Sequence, residues 1–147
     1  MNTKTILLVE DNPSDIELTK RALTKANIDS KLVVAEDGQE ALDYLLGIGI
    51  YAGKDPLSSL ALILLDLKLP KVNGLEVLKW IRANERTKRL PVVILTSSSE
   101  AKDIIAGYDL GANSYIQKPV DFLQFAEAIK ILGIYWLVLN ELPPLGK

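Results

Sequence analysis

Glu10 and Asp11 stand side by side directly after the apolar run Ile6–Val9, and Asp66 stands directly after another, Leu60–Leu65. Thr96 and Ser97 follow a third such run, and Lys118-Pro119 closes a fourth, more mixed one. Carboxylate, hydroxyl and lysine chemistry is what the chain offers, because it has no cysteine and no histidine. Disulfides, thiolate nucleophiles, thiolate- or imidazole-held metals and histidine-based triads are all excluded. Three carboxylates brought together repel each other, and at least one should stay protonated unless a cation intervenes. Hard Mg2+ prefers oxygen ligands and keeps several of its waters, so two carboxylates and a carbonyl suffice to hold it. Asp66 then becomes a nucleophile toward a phosphoryl donor, with Lys118 and the Thr96 hydroxyl meeting the phosphoryl oxygens the metal leaves free.

Each of these residues alone has a plainer reading. Glu10 and Asp11 could be solvated loop acids, Asp66 could cap a turn, and Lys118 could be a surface lysine. Thr96 and Ser97 could cap a following helix, with Glu100 nearby. Their chemistry emerges only if the chain folds so that they converge.

The elements needed for convergence are legible. Apolar runs of strand length cover Thr5–Val9, Lys31–Ala35, Leu60–Leu65, Pro91–Leu95 and Ser114–Gln117. The first, third and fourth are continuously apolar, as central strands covered on both faces should be, while the second and fifth suit the flanks. Helical stretches alternate with them: one opened by Pro13, then Gly38–Leu46, Gly74–Ala83, Ala101–Leu110 and Asp121–Leu139,. Five strand–helix repeats predict an α/β fold, a doubly wound parallel sheet with right-handed crossovers. In such a sheet ligands bind beyond the carboxyl ends of the strands, where all the residues named above lie. The stretch GIGIYAGKDPLSS (47–59) reads as a long loop; its glycines lack the spacing of a phosphate-binding loop,.

The whole chain, 147 residues with 48% hydrophobic and 24% charged, suits one globular domain, residues 1–147,. Its net charge of -2 gives no electrostatic case for DNA or an anionic membrane as partner,. The apolar run near the N-terminus is too short for a signal peptide, and no stretch is read as reaching the roughly 20 apolar residues of a membrane span. A cytoplasmic protein is expected.

The stretches ILLVEDNPSD (6–15), LILLDLKLPKVNGLEVLKWIR (62–82), PVVILTSS (91–98) and GANSYIQKP (111–119) closely resemble the receiver domains of two-component response regulators. The resemblance runs in register from about Lys4 to Leu132. It implies a flavodoxin-like sheet of strand order 2-1-3-4-5 with five helices, and phosphoryl transfer from a partner sensor histidine kinase, which must carry any phosphohistidine. It also implies roles. Asp66 matches the phosphoacceptor, Asp11 a direct Mg2+ ligand, Glu10 an acid acting through a metal-bound water, and Lys68 the donor of a backbone carbonyl to the metal. Thr96 matches the switch hydroxyl, Lys118 the phosphate-pairing lysine and Tyr115 the aromatic that reports activation, with Pro119 following a cis bond. Lys68 and Ser98 fall at positions that tune phosphoryl lifetime, and Gly74 opens the turn after strand three. The first acid is Glu10 where the family more often has Asp. The segments GIGIYAG (47–53), NERTKRLPVVILTSS (84–98) and IYWLVLNELPP (134–144) further resemble single-domain regulators paired with cyanobacterial phytochromes, which implies a phytochrome as the kinase.

Beyond the last shared helix, Ile131, Leu132, Ile134, Tyr135, Trp136, Leu137, Val138 and Leu139 are apolar almost all round. A terminal helix covering one face of a sheet needs one apolar stripe, so the surplus predicts a partner surface. The expectation is a homodimer through helix four, strand five and helix five. Residues 133–147 form a hydrophobic extension that contributes Ile134, Tyr135, Trp136, Leu137 and Leu139. The alternative is a tail folded onto its own domain. Two other functions compete with the phosphorylation switch. A haloacid dehalogenase-type phosphatase would need a second aspartate two residues after Asp66, where Lys68 stands. A docking module that is never phosphorylated would need none of the site.

Overall fold

The structure is a computed structural model and describes residues 3–53 and 55–144. Lys54 and the last three residues of the predicted extension, 145–147, lie outside the described residues. Strands β1 (Lys4–Val9), β2 (Ser30–Ala35), β3 (Leu60–Leu65), β4 (Val92–Thr96) and β5 (Ser114–Gln117) alternate with helices α1 (Pro13–Lys25), α2 (Gly38–Leu46), α3 (Gly74–Ala83), α4 (Ala101–Asp109) and α5 (Phe122–Gly133). All strand pairs are parallel, in the order β2-β1-β3-β4-β5. The expected fold class is the one observed.

Burial follows strand order. Every residue of β3 and β4 is buried, whereas β2 and β5 at the flanks are mostly half-exposed. Alternating side chains then divide between two cores, since successive residues of a strand point to opposite faces. Leu7, Val9, Ile63, Leu65, Val92 and Ile94 pack with Ala41 and Leu45 of α2 and Val77, Leu78 and Ile81 of α3. Ile6, Leu8, Leu62, Leu64, Val93 and Leu95 pack on the other side with Ala22 and Leu23 of α1 and Phe125, Ile129 and Leu132 of α5. Helix α4 anchors differently. Its one buried residue is Gly107, where a Cβ would lie 2.7 Å from the Ile94 side chain, so the helix lies close on β4 without inserting side chains.

Short polar residues start the helices. Asn12 accepts from the backbone N–H groups of Ser14 and Asp15, with Pro13 opening α1, and Asp37, Asn73 and Asp121 cap α2, α3 and α5 in the same way,. The predicted loop over residues 47–59 contains two 3₁₀ turns, Gly49–Tyr51 and Pro56–Ser58.

The segment beyond α5 departs from the expectation. Ile134–Leu139 continues as a π-helix, closed by the Asn140 N–H donating to the Tyr135 carbonyl at 2.7 Å. The wider turn rotates Leu137 inward, where it is 5% exposed in the second core. Lys4 Nζ donates to the Leu137 carbonyl at 2.7 Å, and Trp136 and Leu142 are half-buried against the same core. Leu137 therefore belongs to its own domain rather than to the predicted dimer surface, while Trp136 keeps part of its ring on the surface and Tyr135, Val138 and Leu139 are exposed. The expectation that no stretch approaches membrane-span length does not hold for α5 and its continuation. Phe122–Leu139 is 18 residues of continuous helix with mean hydropathy 1.6, enough by length and composition for a membrane span. Phe125, Ile129, Leu132 and Leu137 along it are buried against the sheet.

Candidate functional site

The carboxyl ends of β1, β3, β4 and β5 lie side by side, so the residues that follow them share one end of the sheet. Glu10 donates its backbone N–H to Ala35, and Asp66 donates its own to Val9, which continues the ladder one residue past each strand. The same device places Lys118, whose N–H donates to the Thr96 carbonyl at 2.7 Å. Gly74 allows the chain after β3 to fold back beneath Asp66. A Cβ there would lie 2.2 Å from the Asp66 carbonyl oxygen, and the Gly74 N–H donates to Leu67 at 2.9 Å.

Glu10, Asp11 and Asp66 each offer a carboxylate oxygen to one small volume, the three atoms lying within 4.8 Å of one another. Glu10 and Asp66 are buried and Asp11 is exposed. This is an all-oxygen donor set of the kind a hard divalent cation takes, with room on the Asp11 side for the waters such an ion retains. An open cleft of about 530 Å3 adjoins it, lined by Asp11, Lys68, Asn73, Glu100, Lys102 and Asp103. Lys68 meets the cluster through its backbone N–H, 3.4 Å from Asp66 Oδ1.

Lys118 also reaches this cluster. Its Nζ lies 2.6 Å from Glu10 Oε1, 2.8 Å from Asp15 Oδ2 and 3.2 Å from Asp66 Oδ2. Burial works against its charge, but the hydrogen bonds to Asp15 and Glu10 and the Asp66 charge outweigh it, so its pKa is raised above the ordinary lysine value. Glu10 is pushed up to about 7, chiefly by burial and further by the Asp66 charge, against the opposing pull of Lys118,. Thr96 is fully buried at the end of β4, and its hydroxyl is the one buried side-chain polar atom among the described residues with no hydrogen-bond partner. Buried hydroxyls are ordinarily satisfied, so this one is poised for an acceptor.

Tyr115 is half-buried, and its hydroxyl donates to the Ser98 carbonyl at 3.0 Å. Ser98 in turn donates to Asp103 Oδ2 at 2.6 Å and accepts from the Glu100 N–H at 3.3 Å. The hydroxyl at the start of α4 is thus that of Ser98, rather than Thr96 or Ser97. The expected cis bond before Pro119 is not found: the described residues contain no cis peptide. Trans is the lower-energy isomer by about 0.5–1 kcal/mol, and in it Lys118 already reaches all three carboxylates. Asp15 was the residue missed. The sequence signal was available, since Asp15 stands four residues after Asp11 in the first turn of a helix that starts at the strand ends.

The fold is a doubly wound parallel α/β sheet with an acidic cluster and a lysine at its carboxyl end, and comparison with known proteins gives the family. The chain matches the response regulator receiver domain family over residues 6–130 and belongs to it. It is similar to the response regulator Rcp1 of Synechocystis sp., 39% identical over 140 residues that span 95% of this chain and 93% of that protein. Among solved structures, the phosphorylated cyanobacterial phytochrome response regulator RcpA superposes with a TM-score of 0.89 at 40% identity, covering 97% of this chain and all of that one. The Mn2+-bound form of Rcp1 gives 0.87 at 39% identity, covering 96% and 99%. The bacteriophytochrome response regulator RtBRR is 51% identical with a TM-score of 0.75, covering 97% and 86%.

Proposed function

We propose that this chain is a single receiver domain that accepts a phosphoryl group on Asp66 from a sensor histidine kinase and signals by conformational change. The observation that carries the reading is the convergence on Asp66 of two further carboxylates and one ammonium, with an unpartnered buried hydroxyl, that of Thr96, at the end of the neighbouring strand. Asp11 and Asp66 would hold Mg2+ directly, with the Lys68 carbonyl as a third ligand and Glu10 acting through a metal-bound water. A cation held there would supply positive charge against the acidic cluster and the incoming phosphoryl oxygens. An Asp66 carboxylate oxygen forms the bond to phosphorus as the bond to the donor imidazole nitrogen breaks, and the imidazole leaves with that electron pair. Lys118 pairs with one phosphoryl oxygen and the Thr96 hydroxyl donates to another.

The phosphoryl group adds charge where Asp66 alone had about one unit. Drawing the Thr96 hydroxyl toward it would shift the end of β4. Ser98, two residues on, carries the carbonyl that holds Tyr115 and the hydroxyl that holds Asp103 of α4. Output would then be read on the α4–β5–α5 face, where Ile105, Tyr108, Phe122 and Leu123 are exposed. We assign a homodimer to this face, extended by Ile134, Tyr135 and Leu139. A phytochrome is the kinase favoured by the similarity to phytochrome response regulators, and the cytoplasm is the compartment in which both would meet. Lys68 at the position two residues after Asp66 favours this switch over a phosphatase.

The test is beryllofluoride with Mg2+, followed by heteronuclear NMR of the native chain and of Asp66→Asn. Shifts at Thr96, Ser98 and Tyr115 are expected in the native chain alone. Equal responses in both, or none in either, would leave the docking-module reading in its place.

A further inference from the structure

Asp15 is the carboxylate in this site that the metal cluster does not use. An ammonium has three N–H donors, and those of Lys118 face Glu10, Asp15 and Asp66,. A cation drawn to Glu10, Asp11 and Asp66 competes for two of these acceptors, and Asp15 is the one left to the lysine. Asp15 is also fixed in place. Its N–H donates to the Asn12 cap at 3.2 Å, its carbonyl accepts from Thr19 Oγ1 at 2.8 Å, and its side chain is only 20% exposed. The lysine lies closer to Asp15 than to Asp66, at 2.8 Å against 3.2 Å.

We infer that Asp15 is a positioning residue that competes with Asp66 for Lys118, so that phosphorylation must draw the lysine off one carboxylate to engage the phosphoryl group. This rests on the phosphoacceptor reading given above and adds a regulator to it. Two effects act in the same direction. Engaging the phosphoryl oxygens weakens or breaks the Lys118–Asp15 pair. The added negative charge also arises near Asp15, since the Asp15 and Asp66 oxygens touch the same nitrogen and are at most about 6 Å apart,. Both effects disfavour the phosphorylated state, and both vanish when the Asp15 charge is removed.

The sign of the effect separates this role from a structural one. Removing a nearby anion should weaken Mg2+ binding, by about two- to fivefold, because the cation loses favourable Coulomb energy. At saturating Mg2+ the same change should tighten beryllofluoride binding by roughly five- to tenfold. A residue that merely maintained the site would weaken both when lost. The experiment is titration of Mg2+ alone, then of beryllofluoride at saturating Mg2+, on the native chain, Asp15→Asn and Asp15→Ala. The expected result is opposite shifts of the two affinities in both variants. Equal or weaker beryllofluoride binding in both would overturn the role given to Asp15 while leaving Asp66 as phosphoacceptor. No beryllofluoride response in the native chain would instead overturn the phosphoacceptor reading itself.

Discussion

Thr96→Val should make the resting protein more stable and the switch worse. Threonine to valine exchanges a hydroxyl for a methyl of nearly the same volume, and it usually destabilises a core because a hydrogen bond is lost. Here the hydroxyl is fully buried and has no partner to lose. A buried hydroxyl without a partner costs about 1–3 kcal/mol in protein settings. Allowing for imperfect fit of the methyl, a gain of about 1–2 kcal/mol remains, or roughly 2–8 °C in Tm for a chain of this size. Once a phosphoryl mimic is bound, the native hydroxyl would donate to a charged acceptor, a bond worth about 1.5–3 kcal/mol. The variant should therefore bind beryllofluoride roughly ten- to a hundredfold more weakly. Thermal unfolding in chelator and beryllofluoride titration at saturating Mg2+ measure the two halves. A lower Tm in chelator would refute the reasoning, because the hydroxyl would then be satisfied at rest and could not be waiting for a ligand.

Mg2+ affinity should depend on pH through Glu10. Its pKa of about 7 means that a proton must leave before the carboxylate can face the cation, so affinity falls as pH drops through 7 and levels off above it,. Calorimetry at pH 6, 7 and 8 checks this, a flat profile counting against it. In chelator the sign reverses: the folded pKa lies above the ordinary 4.5, so the contribution of Glu10 to stability is full below 4.5 and is lost as pH rises to 7,. Lys118→Met leaves three carboxylates without their cation and should cost about 2–4 kcal/mol in chelator, with much of the loss restored by saturating Mg2+,. Equal losses with and without Mg2+ in unfolding titrations would mean that the lysine acts by packing. Leu137→Ala should lower stability by about 2–4 kcal/mol, because it opens a cavity in the second core,. Leu139→Ser, at 65% exposure, should open no cavity in the core and should lower the mass seen by light scattering.

Most of the fold was legible because the sheet is parallel and covered on both faces, which leaves its central strands as unbroken apolar runs. The bounds of β3, α2 and α3 coincide with the runs that predicted them. β4 starts one residue later than expected, at Val92, since Pro91 has no N–H to give the ladder,. The site residues were legible as a set because each follows a strand, and the sheet order turns that shared position into proximity. What could not be read was any pairing between distant side chains. The Lys118–Asp15 contact spans 103 residues, and neither residue type announces the other. The tail escaped for another reason. A reading based on 3.6 residues per turn scatters Ile134–Leu139 around the helix, whereas the wider π turn places Leu137 under the sheet and leaves Tyr135 and Leu139 outside.

The placement of the site explains why so little chemistry from the protein is enough. The buried strands β3 and β4 hold the backbone leading to Asp66 and Thr96 from both faces of the sheet. The weakly anchored parts are on the far side of Thr96. Helix α4 has a single buried residue, a glycine, and is tied to the end of β4 through Ser98 and Asp103. Tyr115 from β5 holds the same Ser98 through its carbonyl. An attraction that moves Thr96 is resisted at the sheet but meets few buried side chains at α4, so that helix is the cheapest element to displace. In the proposed switch, the buried strands would set the reaction geometry and the weakly anchored helix would convert it into a change of surface.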